Sequence, residues 1–109
     1  MNKKELNKII KICEGEGWNV YDTGEGLEIS QASPAGEDFN FYVDKDNLIY
    51  NIISYACNFD PDEHAKMWVE NMHNVAGVPQ SIRILIDDAD DISEMLENLA
   101  DKLRRLDNE

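Results

Sequence analysis

Apolar residues near the start of the chain recur at the spacing of an amphipathic helix. They occupy positions i, i+3, i+4 and i+7, which lie on one helical face. These residues are Leu6, Ile9, Ile10 and Cys13. We therefore predict a helix over residues 3–14, which the glycines at positions 15 and 17 end.

The pattern then changes to the alternation that is typical of short β-strands. Apolar residues at every second position fall in three runs, at 18–20, 27–29 and 39–43. Residues that favour turns separate the runs, at 23–26 and 33–36. This arrangement predicts a three-stranded antiparallel meander.

Helical spacing returns after the third run. Residues 46–57 carry one broad apolar face and predict a second helix. Asp60 and Pro61 are suited to the N-cap and the first position of a third helix. Gly77-Val78-Pro79 marks the next boundary.

The last segment has the most regular spacing in the chain. Its apolar residues step by three and four positions, as in a heptad repeat: Ile82, Leu85, Ala89, Ile92, Leu96, Leu99, Leu103 and Leu106. A helix over residues 80–106 would be about 40 Å long. Its apolar face either covers the sheet or forms a dimer seam. In a competing interpretation, Ile82, Ile84 and Ile86 form a short strand and the helix begins near Asp90.

These elements predict one α+β domain spanning residues 1–109. It has an N-terminal helix, a three-stranded antiparallel meander, two shorter helices and one long C-terminal helix packed on the sheet. The chain shows no internal repeat and no linker that would divide it.

Charge narrows the possible binding partners. The sequence has 23 acidic and 10 basic residues, a net charge of −13. Direct nucleic-acid binding requires clustered Lys and Arg, and an anionic membrane would repel this chain, so we expect neither partner. The N-terminal residues do not resemble a secretory signal, so we expect a cytoplasmic location in a bacterial host.

Sequence motifs give little support for catalysis. His64 and His73 belong to no zinc-protease pattern, and we interpret both as solvated side chains. Cys13 and Cys57 fall on apolar helical faces and are interpreted as buried. No phosphate-binding glycine loop is present, the acidic clusters lack the spacing of a calcium loop, and we expect neither a cofactor nor a specific metal site. A small enzyme remains an alternative if either histidine lies in a cleft beside a carboxylate.

A stripe of carboxylates is predicted on the long helix, opposite its apolar face. We call this surface the acidic stripe. It consists of six residues: Asp87, Asp90, Asp91, Glu94, Glu97 and Asp101. It would extend about 21 Å. A single DNA strand carries about six phosphates over that length. The stripe is therefore a candidate imitation of a phosphate row; alternatively, it is only a solvated face.

The order of elements resembles a known group of small acidic proteins. An N-terminal helix, a three-stranded meander and acidic helices are similar to the listerial type II-A anti-CRISPR proteins, which occupy the DNA-sensing surface of Cas9. The likeness covers residues 3–74 and lies in the segment 48–74, with Asn58-Phe59-Asp60-Pro61-Asp62-Glu63 between two helices. The segment 77–106 looks like accessory proteins of phages and conjugative elements of Firmicutes, and its long helix departs from the listerial pattern.

The resemblance implies additional partner-binding residues. Acidic loops and helix ends of that family face the groove that reads the PAM, and by position the matching residues are Asp60, Asp62, Glu63, Glu37 and Asp38. We therefore expect a non-catalytic acidic inhibitor from a mobile element that mimics DNA and blocks a basic, nucleic-acid-binding defence protein such as Cas9. The alternative is a self-associating accessory protein that uses the heptad face as a dimer seam, its acidity serving only solubility. The chain would be a monomer under the first hypothesis and a homodimer under the second.

Overall fold

The computed structural model describes residues 2–71 and 82–107. Within these ranges the chain forms four helices and a three-stranded sheet, which confirms the predicted α+β class. The elements are α1 (Lys3–Gly15), β1 (Asn19–Asp22), β2 (Gly26–Ala32), β3 (Asp38–Asp44), α2 (Leu48–Asn58), α3 (Pro61–Asn71) and α4 (Ile82–Asp107).

Helix α1 ends in a turn that requires glycine. The Gly17 N–H donates to the carbonyl of Glu14, and the Trp18 N–H donates to the carbonyl of Cys13. This pair of bonds is a Schellman motif, which places its C′ residue in the left-handed region. Gly17 occupies that position with φ of +89°. The turn directs Trp18 into the core, where it is buried beside Cys13.

The sheet is a meander in the order β1-β2-β3, and both strand pairs are antiparallel. Leu27 pairs with Val43 and Ile29 pairs with Phe41, so the buried side chains of β2 and β3 share one face. On the other face, Tyr42 lies against Gly26, where a Cβ atom would collide with the tyrosine ring and with a backbone carbonyl. Glycine is therefore required there to leave room for the ring.

Helices α2 and α3 follow the sheet and meet at a capped junction. Helix α2 buries Leu48, Ile52 and Ala56 and packs against β3. Asp60 caps α3 as predicted, because its Oδ1 accepts bonds from the backbone N–H groups of the next-but-one residue at 3.0 Å and of Glu63 at 3.3 Å.

Helix α4 is 26 residues long. At 1.5 Å per residue it measures about 39 Å, close to the molecule's longest dimension of 46 Å. It packs against α1, α2 and α3. Five of its apolar residues join the sheet and the first two helices in one core cluster: Ile92, Leu96, Leu99, Ala100 and Leu103.

The structure decides between the two interpretations of residues 82–86. They are helical, so the prediction of one continuous helix is confirmed and the short strand is wrong. The strand interpretation relied on alternating isoleucines, but Leu85 is buried and Ile86 is substantially exposed, which is the helical pattern. The predicted boundary at 77–79 lies outside the described residues, as does His73.

The heptad face is buried within this one chain. Leu85, Ala89, Ile92, Leu96, Leu99 and Leu103 are at most 2% exposed. A dimer through this face would require α4 to leave its own core. In the described ranges, no helix is both long and apolar enough to cross a bilayer.

Candidate protein-binding surface

The acidic stripe lies where the sequence predicts it. All six of its residues are exposed on α4. A helix advances about 100° per residue, which places these positions opposite the buried leucines. Because one face of α4 is fixed in the core, the stripe is presented on a rigid element.

Few positive charges neutralise the stripe. Among ion pairs between described side chains, only one involves it: Arg104 Nη1 lies 2.8 Å from Asp101 Oδ1. Like charges face each other at 87/91, 90/94 and 97/101. Each such i, i+4 pair is unfavourable by about 0.2–0.5 kcal/mol. The surface of α4 therefore concentrates negative charge at some cost to helix stability.

A seventh carboxylate on α4 points in the opposite direction. Asp88 is 2% exposed. Its Oδ2 accepts a bond from the Ser33 hydroxyl at 2.7 Å, and its Oδ1 accepts one from the Ala35 backbone N–H at 2.8 Å. The Ser33 hydroxyl oxygen in turn accepts the Glu37 N–H at 2.9 Å. Asp88 thus ties α4 to the loop between β2 and β3.

The acidic residues at the start of α3 border a cavity. Asp60, Asp62 and Glu63 are all exposed. Asp60 and Glu63 line a cavity of about 370 Å³ at the α2–α3 junction. The other lining residues are Tyr55, Asn58, Phe59, His64 and Met67. The cavity therefore combines aromatic and thioether walls with two carboxylates.

Glu37 and His64 form a hydrogen-bonded pair beside this cavity. Glu37 Oε2 lies 2.9 Å from His64 Nε2, and the two side chains are 17% and 21% exposed. The His64 ring also packs edge-on against Phe39, with centroids 5.5 Å apart. The interpretation of His64 as solvated is wrong, because β3 and the loop before it cover the ring. Glu37 is engaged in this pair rather than open to a partner, whereas Asp38 is exposed.

A small enzyme is an alternative if a histidine lies in a cleft beside a carboxylate. His64 meets this condition, since its ring lines the cavity and is bonded to Glu37. Tyr55 also lines the cavity. The pKa of its hydroxyl is raised by burial and, to a smaller extent, by the charge of Glu37. The pair joins the β2–β3 loop to α3, and this contact supports a positioning role.

Searches against protein-family models, curated proteins and solved structures found no match.

The two cysteines differ from each other. Cys13 is fully buried as predicted, and desolvation raises the pKa of its thiol to about 12. Cys57 is exposed, so its predicted burial is wrong. Cys57 lies five residues after Ile52, a rotation of about 140° around the helix, which turns it away from the face that buries Ile52. Its Sγ accepts a bond from Arg104 Nη2 at 3.2 Å.

The acidic clusters do not converge on a metal-ligand geometry. Across the described part of the chain, no group of three or more His, Cys, Asp and Glu side chains is close enough to hold a metal ion. The exposed carboxylates are instead spread along the surface of α4 and the start of α3.

Two side-chain contacts, those of Asp88 and of the Glu37–His64 pair, are not predicted from the sequence. Helical spacing does contain a signal for Asp88, which is three residues after Leu85 and four before Ile92 and so lies on the buried face. The Glu37–His64 pair has no such signal, because its partners are 27 residues apart and meet only through the packing of α3 against the meander.

Proposed function

We propose that this protein is a non-catalytic acidic binding protein of a mobile element, which imitates DNA and blocks the nucleic-acid-binding surface of a basic bacterial defence protein. The observation that carries the proposal is the acidic stripe on α4, with six exposed carboxylates opposite a buried apolar face. The proposed partner class is a protein whose Lys and Arg residues otherwise hold phosphates, with Cas9 as the specific candidate.

The spacing of the stripe supports this mechanism. From Asp87 to Asp101 the helix rises about 21 Å, a length over which one DNA strand presents about six phosphates. Arg and Lys side chains pair with carboxylates and with phosphates through the same charge-assisted hydrogen bonds. A protein groove that binds a DNA strand through Arg and Lys side chains could therefore bind this face of α4 through the same side chains.

Charge distribution also favours fast association. Residues 12–101 contain 20 acidic and three basic residues, a net charge of −17, while the two ends are slightly basic. A field of one sign over most of the molecule steers it towards a positive groove and increases the association rate. Binding by this mechanism weakens as salt is added.

The self-association hypothesis receives less support. The side chains that it assigns to a dimer seam are buried within the chain, as described above. The face of α4 that remains exposed carries like charges, and two copies of it would repel each other.

A matched pair of charge variants tests the proposal. In the stripe variant, Asp87, Asp90 and Asp91 become Asn, and Glu94 and Glu97 become Gln. The control variant neutralises five exposed carboxylates elsewhere, with Glu14, Glu25 and Glu28 changed to Gln and Asp44 and Asp46 changed to Asn. Both variants have a net charge of −8, five units less negative than the original −13.

The measurement is competition with a DNA duplex for Cas9, together with inhibition of DNA cleavage. We expect the native protein to displace DNA at low salt and to lose this ability towards 1 M salt. The stripe variant should bind at least about tenfold more weakly, which corresponds to about 1.4 kcal/mol, while the control variant stays close to native. Equal weakening of both variants would show that net charge alone acts. Failure of the native protein to compete would exclude Cas9.

A further inference from the structure

The cavity at the α2–α3 junction has a chemistry of its own. Phe59 forms part of its wall and is held edge-on against Phe39, with ring centroids 5.7 Å apart. Tyr55, another part of the wall, is stacked on Phe41 with centroids 4.3 Å apart and rings 6° from parallel. Both rings are thus anchored to the core, and the wall is preformed.

The exposed side of the cavity is negatively charged. Asp60 and Glu63 line it and are both exposed. Asp60 uses Oδ1 to cap α3, and that capping role fixes the position of its carboxylate. Met67 adds a thioether that is 52% exposed.

We propose that this cavity binds an arginine side chain supplied by the partner protein. The inference rests on the proposed function, since it assigns a specific anchor on a basic partner. A guanidinium group is planar, stacks on aromatic rings and donates hydrogen bonds to carboxylates in a fixed geometry. The cavity offers both kinds of contact at once.

The size and the walls of the cavity favour arginine over other occupants. A volume of about 370 Å³ accommodates one large side chain rather than a helix or a strand. A neutral apolar side chain would gain no favourable interaction from the carboxylates of Asp60 and Glu63. Lysine would satisfy charge, but its compact, strongly hydrated ammonium gains less from the faces of Phe59 and Tyr55.

The Glu37–His64 pair positions one side of the cavity. His64 lies 5.3 Å from Phe59 between ring centroids, and its Nε2 is held by Glu37 at 2.9 Å. The loop that carries Glu37 is itself fixed by Asp88. The cavity wall therefore depends on contacts from α4, the β2–β3 loop and α3 together.

The direct test uses a small probe and no partner protein. N-acetyl-arginine methylamide is titrated into the full-length protein at low salt, and binding is followed by the amide shifts of the lining residues in NMR spectra. N-acetyl-citrulline methylamide is the matched control, because it keeps the shape of arginine without its charge. We expect arginine-dependent shifts that cluster around Phe59, Glu63 and Met67, with the citrulline probe binding at least about tenfold more weakly.

Three variants locate the site. Glu63→Gln removes a charge from the rim, and Met67→Lys places an ammonium group at an exposed wall position; both should weaken binding of the arginine probe at least about fivefold. Glu28→Gln removes the same charge from the outer face of the sheet and should bind the probe as the native protein does. Unchanged amide spectra outside the cavity confirm that each variant is folded.

Each outcome decides the proposal. Equal binding of the arginine and citrulline probes, absence of binding, or equal losses in Glu63→Gln and Glu28→Gln would overturn it. The stripe variant described above should bind the probe normally, so failure of DNA mimicry by α4 and failure of this cavity are separate results. The proposal is supported if the protein binds the arginine probe more tightly than the citrulline probe and if Met67→Lys abolishes this difference.

Discussion

Asp88 is the residue whose role differs most from that of its neighbours. The four other acidic residues within two helical turns of Asp88 are exposed. The Asp88 carboxylate, in contrast, is buried and accepts two hydrogen bonds from the β2–β3 loop. A buried carboxylate that loses its partners is costly, and so are donors left without an acceptor. The loop and α4 therefore hold each other in place through this one side chain.

We predict that Asp88→Ala destabilises the protein by about 2–4 kcal/mol, because it leaves the Ser33 hydroxyl and the Ala35 N–H without this acceptor. Asp87→Ala is the matched control, since it removes the same group from an exposed position next to it and should change stability by at most about 0.5 kcal/mol. Urea unfolding at constant salt measures both. Equal midpoints for the two variants would contradict the assignment.

Single residues also show the limits of prediction from sequence. The cap at Asp60 and the burial of Cys13 are confirmed, because both depend on neighbours within a few positions along the chain. The environment of His64 is not predicted, because it depends on Glu37, which is distant in sequence. Local rules find a residue's helical face, and tertiary packing then decides what meets it.

Helix α4 has two faces with opposing contributions to stability. Leu96, Leu99 and Leu103 are fully buried and stabilise it, while the acidic stripe repels itself at several i, i+4 positions. Such an arrangement is expected where function, and not stability, determines the surface. Replacing one stripe residue with a cation should therefore strengthen the fold and weaken the proposed binding.

Glu94→Lys tests this trade-off directly. It removes the repulsion with Asp90 and forms a favourable i, i+4 pair with the same residue, so we expect stabilisation of about 0.5–1 kcal/mol at low salt. Glu94→Gln removes the repulsion alone and should give about half the gain. Both are measured by urea unfolding, with DNA competition on Cas9 as the functional readout. A less stable Glu94→Lys protein would show that the stripe carries no net repulsion.

The elements themselves are predicted well because their patterns are strong. Helix α1, the meander and the cap of α3 match their predicted positions within a few residues. The apolar steps of α4 predict a continuous helix, but they do not distinguish a face that covers the chain's own core from a dimer seam. That distinction depends on which helices pack against it, and periodicity within one segment contains no such information.

The whole molecule carries far more charge than its ion pairs neutralise. The sequence has 23 acidic residues, and the molecule measures 46 × 25 × 20 Å. The described side chains form two ion pairs, at Lys45–Asp22 and Arg104–Asp101, and His64 is hydrogen-bonded to Glu37. Many carboxylates are therefore within one Debye length of each other at 0.1 M salt, about 10 Å. The compact state is destabilised by this self-repulsion.

We predict that sodium chloride stabilises the protein, with the free energy of unfolding rising between 0.01 M and 1 M salt by on the order of 1 kcal/mol. The Debye length falls from about 30 Å to about 3 Å over this range, which screens repulsion between the many exposed carboxylates more than it weakens the few ion pairs. Thermal and urea unfolding at a series of salt concentrations measure the slope. The two variants at net charge −8 should both show a flatter slope, because each has five fewer negative charges. Destabilisation by salt would mean that attraction within ion pairs outweighs repulsion between carboxylates. The charges of the acidic stripe would then be neutralised by neighbouring cations.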